Sequence, residues 1–305
     1  MDINRANLEA MFKSFYTSFQ AGLGFKLPVD LSFLYRDFPS MTAANFYAWL
    51  DRIPGFREWL GDRQYNDIAS QRFELKNRDF ECAVRVPNKD IEDDQYGVYA
   101  PIVEMEGESW TRQLHELVVE VLTANPTCFT GKAICATDHK YGKNTICNRT
   151  GSALSETTFN AALAAAAEWK FSNGELVRPQ FTHLVVGPKL RATGFALVKA
   201  QTEISIVTNK AGTENVGAGE VPNPNYGAAE LVLLPDLAGD YDDYWFLVDG
   251  SRPIKAISRQ LRRAPKPRMS TDPEFVERTG YVDFLADGRA AAGPTFPHLI
   301  YGGIL

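Results

Sequence analysis

Apolar residues recur along the first segment with the period of a helix. Leu8, Met11, Phe12, Phe15, Tyr16 and Phe19 fall on one face of an α-helix. Gly22 and Gly24 then end it, because glycine accepts the left-handed conformation that closes a last turn. The spacing alone favours packing of this stripe on the chain's own core. Residues 24–48 are loop-rich, with Pro28 and Pro39, so the helix can also belong to an arm. An arm with such a face has to bury it elsewhere, for instance on another subunit.

After Gly61 the period changes to two. Phe73 and Leu75 alternate with Arg72, Glu74 and Lys76; Phe80, Cys82, Val84 and Val86 alternate with Glu81 and Arg85. Lys76-Asn77-Arg78-Asp79 reads as a tight turn between them, which predicts a hairpin from about Gln64 to Val86. In that register Leu75 pairs with Phe80, Phe73 with Cys82, and Glu74 faces Glu81. Like charges opposite each other repel, so a Lys or Arg is expected near both carboxylates. A lone two-stranded ribbon is marginal in water and must lie against something else.

Helical periodicity returns after Pro101 and runs to about Asn125, with Trp110, Leu114, Leu117, Val118, Val121 and Leu122 on one side and Pro126 as the stop. Gly107 inside it costs about 1 kcal/mol relative to alanine, and reads either as close packing or as a bend. Before it, Asn88 is expected to cap a short acidic turn over residues 90–94. Residues 127–152 read as loop, and Ser155 as the N-cap of a helix to about Phe171. Strands are expected at 182–186, 204–207, 231–234 and 245–248 and in parts of 254–262 and 274–286. A helix is expected from Pro188 to about Ala200, and a Gly/Asn/Pro-rich loop over 209–227. Interleaved helices and strands give an α+β chain.

Composition narrows the class. A chain of 305 residues is comfortable for two domains and buries roughly 75% of its unfolded surface, so it needs no disulfide or metal staple. Hydrophobic residues at 45% and charged residues at 23% exclude a wholly disordered chain. Lys and Arg (32) minus Asp and Glu (38) leave −6, not the basic surplus of a dedicated nucleic-acid binder. Four cysteines are too few for a disulfide scaffold in a chain this long. The first residues lack a signal-peptide apolar core, and the longest apolar run, Ala161 to Ala167, is too short to span a bilayer, so a cytosolic or equivalent compartment is expected.

Catalytic patterns fail one by one. Thr130-Gly131-Lys132 matches the end of a phosphate-binding loop, but its first glycine falls on Pro126 and its hydroxyl on Ala133. Asp90, Glu92 and Asp94 open like a calcium loop, whose glycine and last carboxylate would be Gln95 and Pro101. His115-Glu116 lacks a second histidine at Val119. Cys128, Cys135, Asp138, His139 and Cys147 are zinc-ligand types or a Cys/His nucleophile pair, without the usual cysteine spacing of structural zinc. They read rather as free, partly buried thiols, and His183 and His298 as structural. The basic run Arg259, Arg262, Arg263, Lys266 and Arg268 reads as a solvated or ion-paired face. No catalytic set, metal site or cofactor site is expected.

Several motifs in one order resemble the major head (major capsid) subunit of Mu-like phages and prophages. They are Ala6-Asn7-Leu8 with the Phe-rich helix, Arg57-Glu58-Trp59-Leu60-Gly61-Asp62-Arg63, Lys76-Asn77-Arg78-Asp79-Phe80-Glu81 and Ile91-Glu92-Asp93-Asp94-Gln95. Thr137-Asp138-His139 and Trp245-Phe246-Leu247-Val248-Asp249 with Ser251-Arg252-Pro253-Ile254-Lys255 complete the set. The resemblance implies the α+β fold named for the Hong Kong 97 phage capsid. It implies an N-terminal arm over 1–50, an E-loop hairpin and its base over 51–87, and a peripheral domain with the spine helix over 88–126. An axial domain over 127–250 and a return to the peripheral domain with a C-terminal strand over 251–305 follow. The 209–227 loop would point toward the symmetry axes, and Thr137-Asp138-His139 would be structural.

The function so implied is a non-enzymatic major capsid protein that self-assembles into hexamers and pentamers of an icosahedral tailed-phage head around double-stranded DNA. The rivals are another self-associating virion component, such as a portal or tail ring, and a Cys/His-site enzyme. Expected inter-subunit contacts are Phe12, Phe15, Tyr16, Phe19, Arg72, Phe73, Glu74, Leu75, Phe80 and Glu81, with Gly61 and Gly107 as hinges. Spine curvature is expected to change at Gly107 between immature and expanded shells, so that Gly107→Ala impairs expansion more than folding. The expected partners are further copies of the chain, a portal, a decoration protein and non-specifically packaged DNA, with no membrane. About sixty residues precede the hairpin, which leaves no room for a fused scaffolding segment, so the scaffold is expected to be a separate protein. The expected location is the virion capsid, assembled in the host bacterial cytoplasm.

Overall fold

The computed structural model describes residues 5–42, 44–50, 70–93, 95–208, 215–269 and 272–305. Helix α1 (Arg5–Leu23) precedes strands β1 (Tyr35–Pro39), β2 (Ala44–Leu50), β3 (Ser70–Lys76) and β4 (Arg78–Pro87), the short α2 (Asn88–Glu92) and the long α3 (Ala100–Ala124). Then come β5 (His139–Tyr141), β6 (Asn144–Ile146), β7 (Arg149–Thr150), α4 (Glu156–Ala167), β8 (His183–Val186), α5 (Arg191–Val198), β9 (Thr202–Thr208) and β10 (Asn215–Pro222). The remaining elements are β11 (Glu230–Leu233), β12 (Trp245–Val248), β13 (Ile257–Met269), α6 (Pro273–Thr279), β14 (Tyr281–Pro294) and β15 (Ile300–Gly303).

Two sheets organise these elements. In the four-stranded sheet, β1-β13-β14-β4, alternation along β14 and β4 puts Val282, Phe284, Ala286, Val84 and Val86 on one face. Helix α1 lays Leu8, Met11, Phe15 and Phe19 on that face, and Ile91, Val103 and Val276 close the cluster. Phe284 is the centre, with ring centroids 6.4, 5.9 and 6.0 Å from Phe12, Phe15 and Phe19. Each such ring removed from water contributes about 1.5–3 kcal/mol. The opposite face is ionic. Arg85 pairs with Asp283 and Arg268 with Asp287, both at 2.6 Å, while Arg263 shares Asp287 and Arg289 pairs with Asp79.

The second sheet runs β11-β8-β12-β15-β7. Leu184–Val186 and Trp245–Val248 are buried without alternation, the pattern of strands covered on both faces. The last strand, β15, inserts between β12 and β7, so the C-terminal strand belongs to this sheet. Helix α3 joins the two cores: Val103 lies in the first, and Val118, Val119, Val121 and Leu122 lie in the second. It ends on Asn125, which takes a left-handed φ of 47°. The Asn125 side chain accepts from the Cys135 amide (2.8 Å) and donates to its carbonyl (3.0 Å), which fixes the following loop. Ser155 caps α4 as expected, in a capping box with Thr158.

The structure corrects several expectations. Strands β3 and β4 do not pair with each other. β3 pairs antiparallel with β2, from Lys76 opposite Ala44 to Ser70 opposite Leu50, while β4 pairs with β14. Asn77 alone separates β3 from β4, too little for a two-residue turn, and its side chain ties the junction to Ser40 Oγ (3.0 Å) and the Thr42 carbonyl (2.9 Å). Phe73 therefore lies opposite Tyr47, Glu74 opposite Phe46, Leu75 opposite Asn45, Phe80 opposite Gly288 and Glu81 opposite Asp287. The ribbon bounds become Ala44 and Lys76, and 78–87 joins the sheet. The 209–227 stretch is not all loop, because β10 pairs with β9; residues 209–214 lie outside the described residues. Asn88 does not cap α2; its amide donates to the Val276 carbonyl (2.9 Å). Pro265 and Pro267 lie inside β13, beyond the end of its pairing with β1, where a missing N–H is tolerated.

Candidate self-association site

The residues expected to contact other subunits separate into two groups. Phe15 and Phe19 are fully buried within the chain itself, and Phe12 is half-buried against Phe284, so the apolar stripe of α1 is used intramolecularly. Phe15 and Phe19 are thereby out of reach of a neighbour, because the four-stranded sheet offers α1 a complete apolar face. Tyr16, 44% exposed, remains on the surface with its ring edge-on to Phe12. In the ribbon, Phe73 and Leu75 reach back to Gly293 on β14, where any Cβ would lie within 3.4 Å of the Phe73 ring and 2.9 Å of the Leu75 methyl group. Gln260 of β13 clamps the same point, donating to the Leu75 carbonyl (2.9 Å) and to Asn77 (3.0 Å). These contacts tie the base of the ribbon to β13 and β14. Glu74 is exposed there, and Arg72 lies opposite Ala48. Phe80 meets Trp110 of α3 edge-on at 6.2 Å, and Glu81 borders a hollow that holds Arg263 and Arg268.

The expected hinges are Gly61 and Gly107. Gly61 lies outside the described residues. Gly107 sits in continuous helix, jammed against the Phe19 carbonyl oxygen and Gly22 of α1, and Gly22 is jammed against the Glu104 carbonyl in return. The pair lets two helix backbones touch, which is the close-packing reading.

Surface apolar groups that the sequence reading missed are Val98, Ile102 and Met105, which are 70%, 44% and 62% exposed. Ile102 and Met105 face outward from the first turns of α3, and Val98 lies in the 3-10 turn (Gln95–Tyr99) that leads into it, so that apolar residues on both sides of the helix are detectable in the sequence. Phe195 and Tyr226 form another exposed aromatic pair of positions. They stand on a rigid base, since Asn223 donates to the carbonyls of Ala196, Leu197 and Ala200 at the end of α5.

The Cys/His cluster forms a hydrogen-bond chain. His139 is fully buried, and its Nε2 faces two acceptors, the Ile134 carbonyl (3.2 Å) and Asn148 Oδ1 (3.1 Å), so Nε2 carries the proton. Nδ1 then accepts from Thr130 Oγ1 (2.8 Å), and the Cys128 thiol donates to Thr130 (3.0 Å). Burial pushes the Cys128 thiol up and the His139 imidazolium down. The thiol therefore stays protonated, and the imidazole is neutral with both ring nitrogens engaged in the chain. Asn148 also donates to the carbonyls of Pro297 (2.7 Å) and Ile300 (3.1 Å), anchoring β15. Asp138 pairs outward with Lys132 at 2.6 Å, and Cys147 is exposed. Among the described residues no three His, Cys, Asp or Glu side chains gather to hold a metal. His183 stacks on Phe33 at 3.9 Å, and His298 packs among Tyr141, Phe171 and Phe296. Three residues of the basic run are ion-paired: Arg259 meets Asp37 at 2.6 Å, and Arg263 and Arg268 hold Asp287.

Comparison with known proteins gives two family models. That of the phage capsid protein family matches residues 83–298, and that of the Mu-like prophage major head subunit gpT matches residues 8–153. The Mu-like prophage FluMu major head subunit of Haemophilus influenzae is 37% identical over 139 residues, 45% of each chain. The major capsid protein of Escherichia phage Mu is 31% identical over 156 residues, 50% of each chain. The matches thus span about half the length of these curated relatives. Among solved structures, the fold is similar to a chain of the bacteriophage JBD30 procapsid, with a TM-score of 0.58 and 24% identity over 97% of this chain and 74% of that one. A virus-like particle from Pyrococcus furiosus is similar with a TM-score of 0.50 at 10% identity, over 95% of this chain and 98% of that one.

Proposed function

This chain belongs to the phage capsid protein family, and from that premise we propose that it is the major head subunit of a Mu-like phage or prophage. Its copies assemble as hexamers and pentamers of an icosahedral head that encloses double-stranded DNA. The observation that carries this reading is the match of the phage capsid protein family model over residues 83–298 together with that of the Mu-like major head subunit gpT over residues 8–153. The ribbon of β2 and β3, tied to the rest of the chain at its base by Gly293, Gln260 and Asn77, supports it as the element that reaches a neighbour. The exposed Ile102 and Met105 on α3, with Val98 just before it, support the same conclusion.

In this reading α1 is the arm, docked on its own subunit, and strands β2 and β3 belong to the E-loop. The four-stranded sheet with the first half of α3 is the peripheral domain, and the five-stranded sheet with α4 and α5 is the axial domain. The role is structural, with the Cys128–His139 chain holding the axial domain together. Portal, decoration protein and a separate scaffold are its partners in the virion, which forms in the host cytoplasm.

Negative-stain microscopy of the purified, self-associated protein tests the proposal. Closed polyhedra are expected. Rings or tubes would reassign the chain to a portal or tail component, and a strict monomer at all concentrations would remove the reading. Uniform closed shells formed by the subunit alone would remove the separate scaffold.

A further inference from the structure

A groove of about 240 Å³ runs between α3 and strands β4 and β14. Its walls are aromatic, from Phe19, Phe80 and Trp110, and its acids are Glu81, Glu106 and Glu116. The benzo ring of Trp110 rests on the backbone at Gly288, where a Cβ would come within 2.6 Å of it, so the glycine makes room for the indole. Glu106 Oε2 is enclosed there and has no hydrogen-bond partner among the described residues. The cation on the rim is already committed: Arg112 pairs with Glu108 at 3.0 Å and its guanidinium lies over Phe25 at 5.6 Å. On the far side of Glu81, Arg263 and Arg268 are both held by Asp287.

Elsewhere the chain shows what completes such a setting. Arg259 lies over Tyr35 at 4.0 Å while bonding Asp37, and Arg85 lies over Tyr281 at 5.3 Å while bonding Asp283. Each guanidinium is sandwiched between an aromatic face and a carboxylate, an arrangement that satisfies both its charge and its flat, weakly hydrated faces. The groove supplies the ring and the carboxylates and lacks the arginine.

We propose that this groove receives an arginine side chain of a second copy of the chain, between Trp110 and the carboxylates of Glu81 and Glu116. The proposal rests on the self-association argued above and adds the contact that directs it. It is tested with the full-length protein by sedimentation velocity over a concentration series, comparing the wild type with Glu81→Gln/Glu116→Gln and with Glu116→Lys, which supplies a tethered cation. The double variant is expected to raise the concentration needed for association about tenfold, and Glu116→Lys to raise it further. The thermal transition of the unassociated protein should stay in place, since both glutamates lie on the groove's open side. Unchanged association in both variants overturns the groove contact alone. A wild-type chain that never associates overturns the contact and the capsid reading together.

Discussion

A methyl group placed on Gly107 would run into the Phe19 carbonyl oxygen and lie 3.0 Å from the Gly22 Cα, both rigid backbone atoms. The helices would have to separate, a cost of about 1–3 kcal/mol as overpacking. Gly107→Ala is therefore expected to lower the melting temperature of the unassociated subunit, opposite to the behaviour of a hinge variant that spares folding. An unchanged melt with failed shell expansion would restore the hinge. Two titrating groups, the half-buried Glu106 and the fully buried His298, act with opposite signs. Burial raises the Glu106 carboxyl, which also faces the Cys82 thiol, itself pushed up to about 12 mainly by burial. A raised carboxyl favours folding while protonated, so its contribution is lost as pH rises from the ordinary carboxylate range through its folded value. His298 is driven down to about 3 by burial, so it stays neutral in the fold while the unfolded chain gains a proton below about 6.5, and stability is lost as pH falls from there toward 3. Urea unfolding at pH 4–8 should show Glu106→Gln flattening the rise-in-pH loss and His298→Phe flattening the acid loss. Parallel curves for variant and wild type would show that neither group titrates as its burial demands.

At the scale of elements, the ribbon depends on one buried amide. Gln260 is fully buried and holds the Leu75 carbonyl and Asn77 at the point where the chain leaves one sheet for another. Gln260→Leu strands both acceptors, a cost of about 1–3 kcal/mol, and should speed proteolytic cutting near residues 70–77 before other sites. A cleavage pattern identical to wild type would deny the clamp. The same junction explains where sequence reading stops. Alternation in 72–76 and 78–86 reports which face each side chain takes, and both strands exist. Period two carries no information about partners. β3 finds its partner upstream in 44–50, where Ala44-Asn45-Phe46-Tyr47-Ala48 does not alternate cleanly, and β4 finds its partner some two hundred residues downstream. Helices were readable because their caps and faces are local: Pro126 after α3 and Ser155 before α4 did what short-range chemistry requires. The stripe of Phe15 and Phe19 was readable as buried, but its partner Phe284 lies in another element. No local pattern distinguishes burial on one's own sheet from burial on a neighbour.

For the whole molecule, two apolar cores share a single continuous helix. The first half of α3 closes the α1–sheet cluster through Val103, and the second half enters the larger cluster through Val118 to Leu122. A shell subunit that changes its surroundings needs bodies that move as units, and a helix anchored in both cores can transmit a tilt from one to the other without either core repacking. The design has a measurable thermodynamic consequence. Phe284 contacts Phe12, Phe15 and Phe19 and nothing in the larger cluster, so Phe284→Ala should cost about 3–5 kcal/mol, taken from the smaller core. Native-state hydrogen exchange should then show amides of α1, β4 and β14 losing protection. Those of β8, β12 and β15 should keep theirs, with α3 divided near the Gly107 contact. If every amide lost protection equally, the two cores would unfold as one cooperative unit, and α3 would be a shared strut inside a single domain and not a link between two.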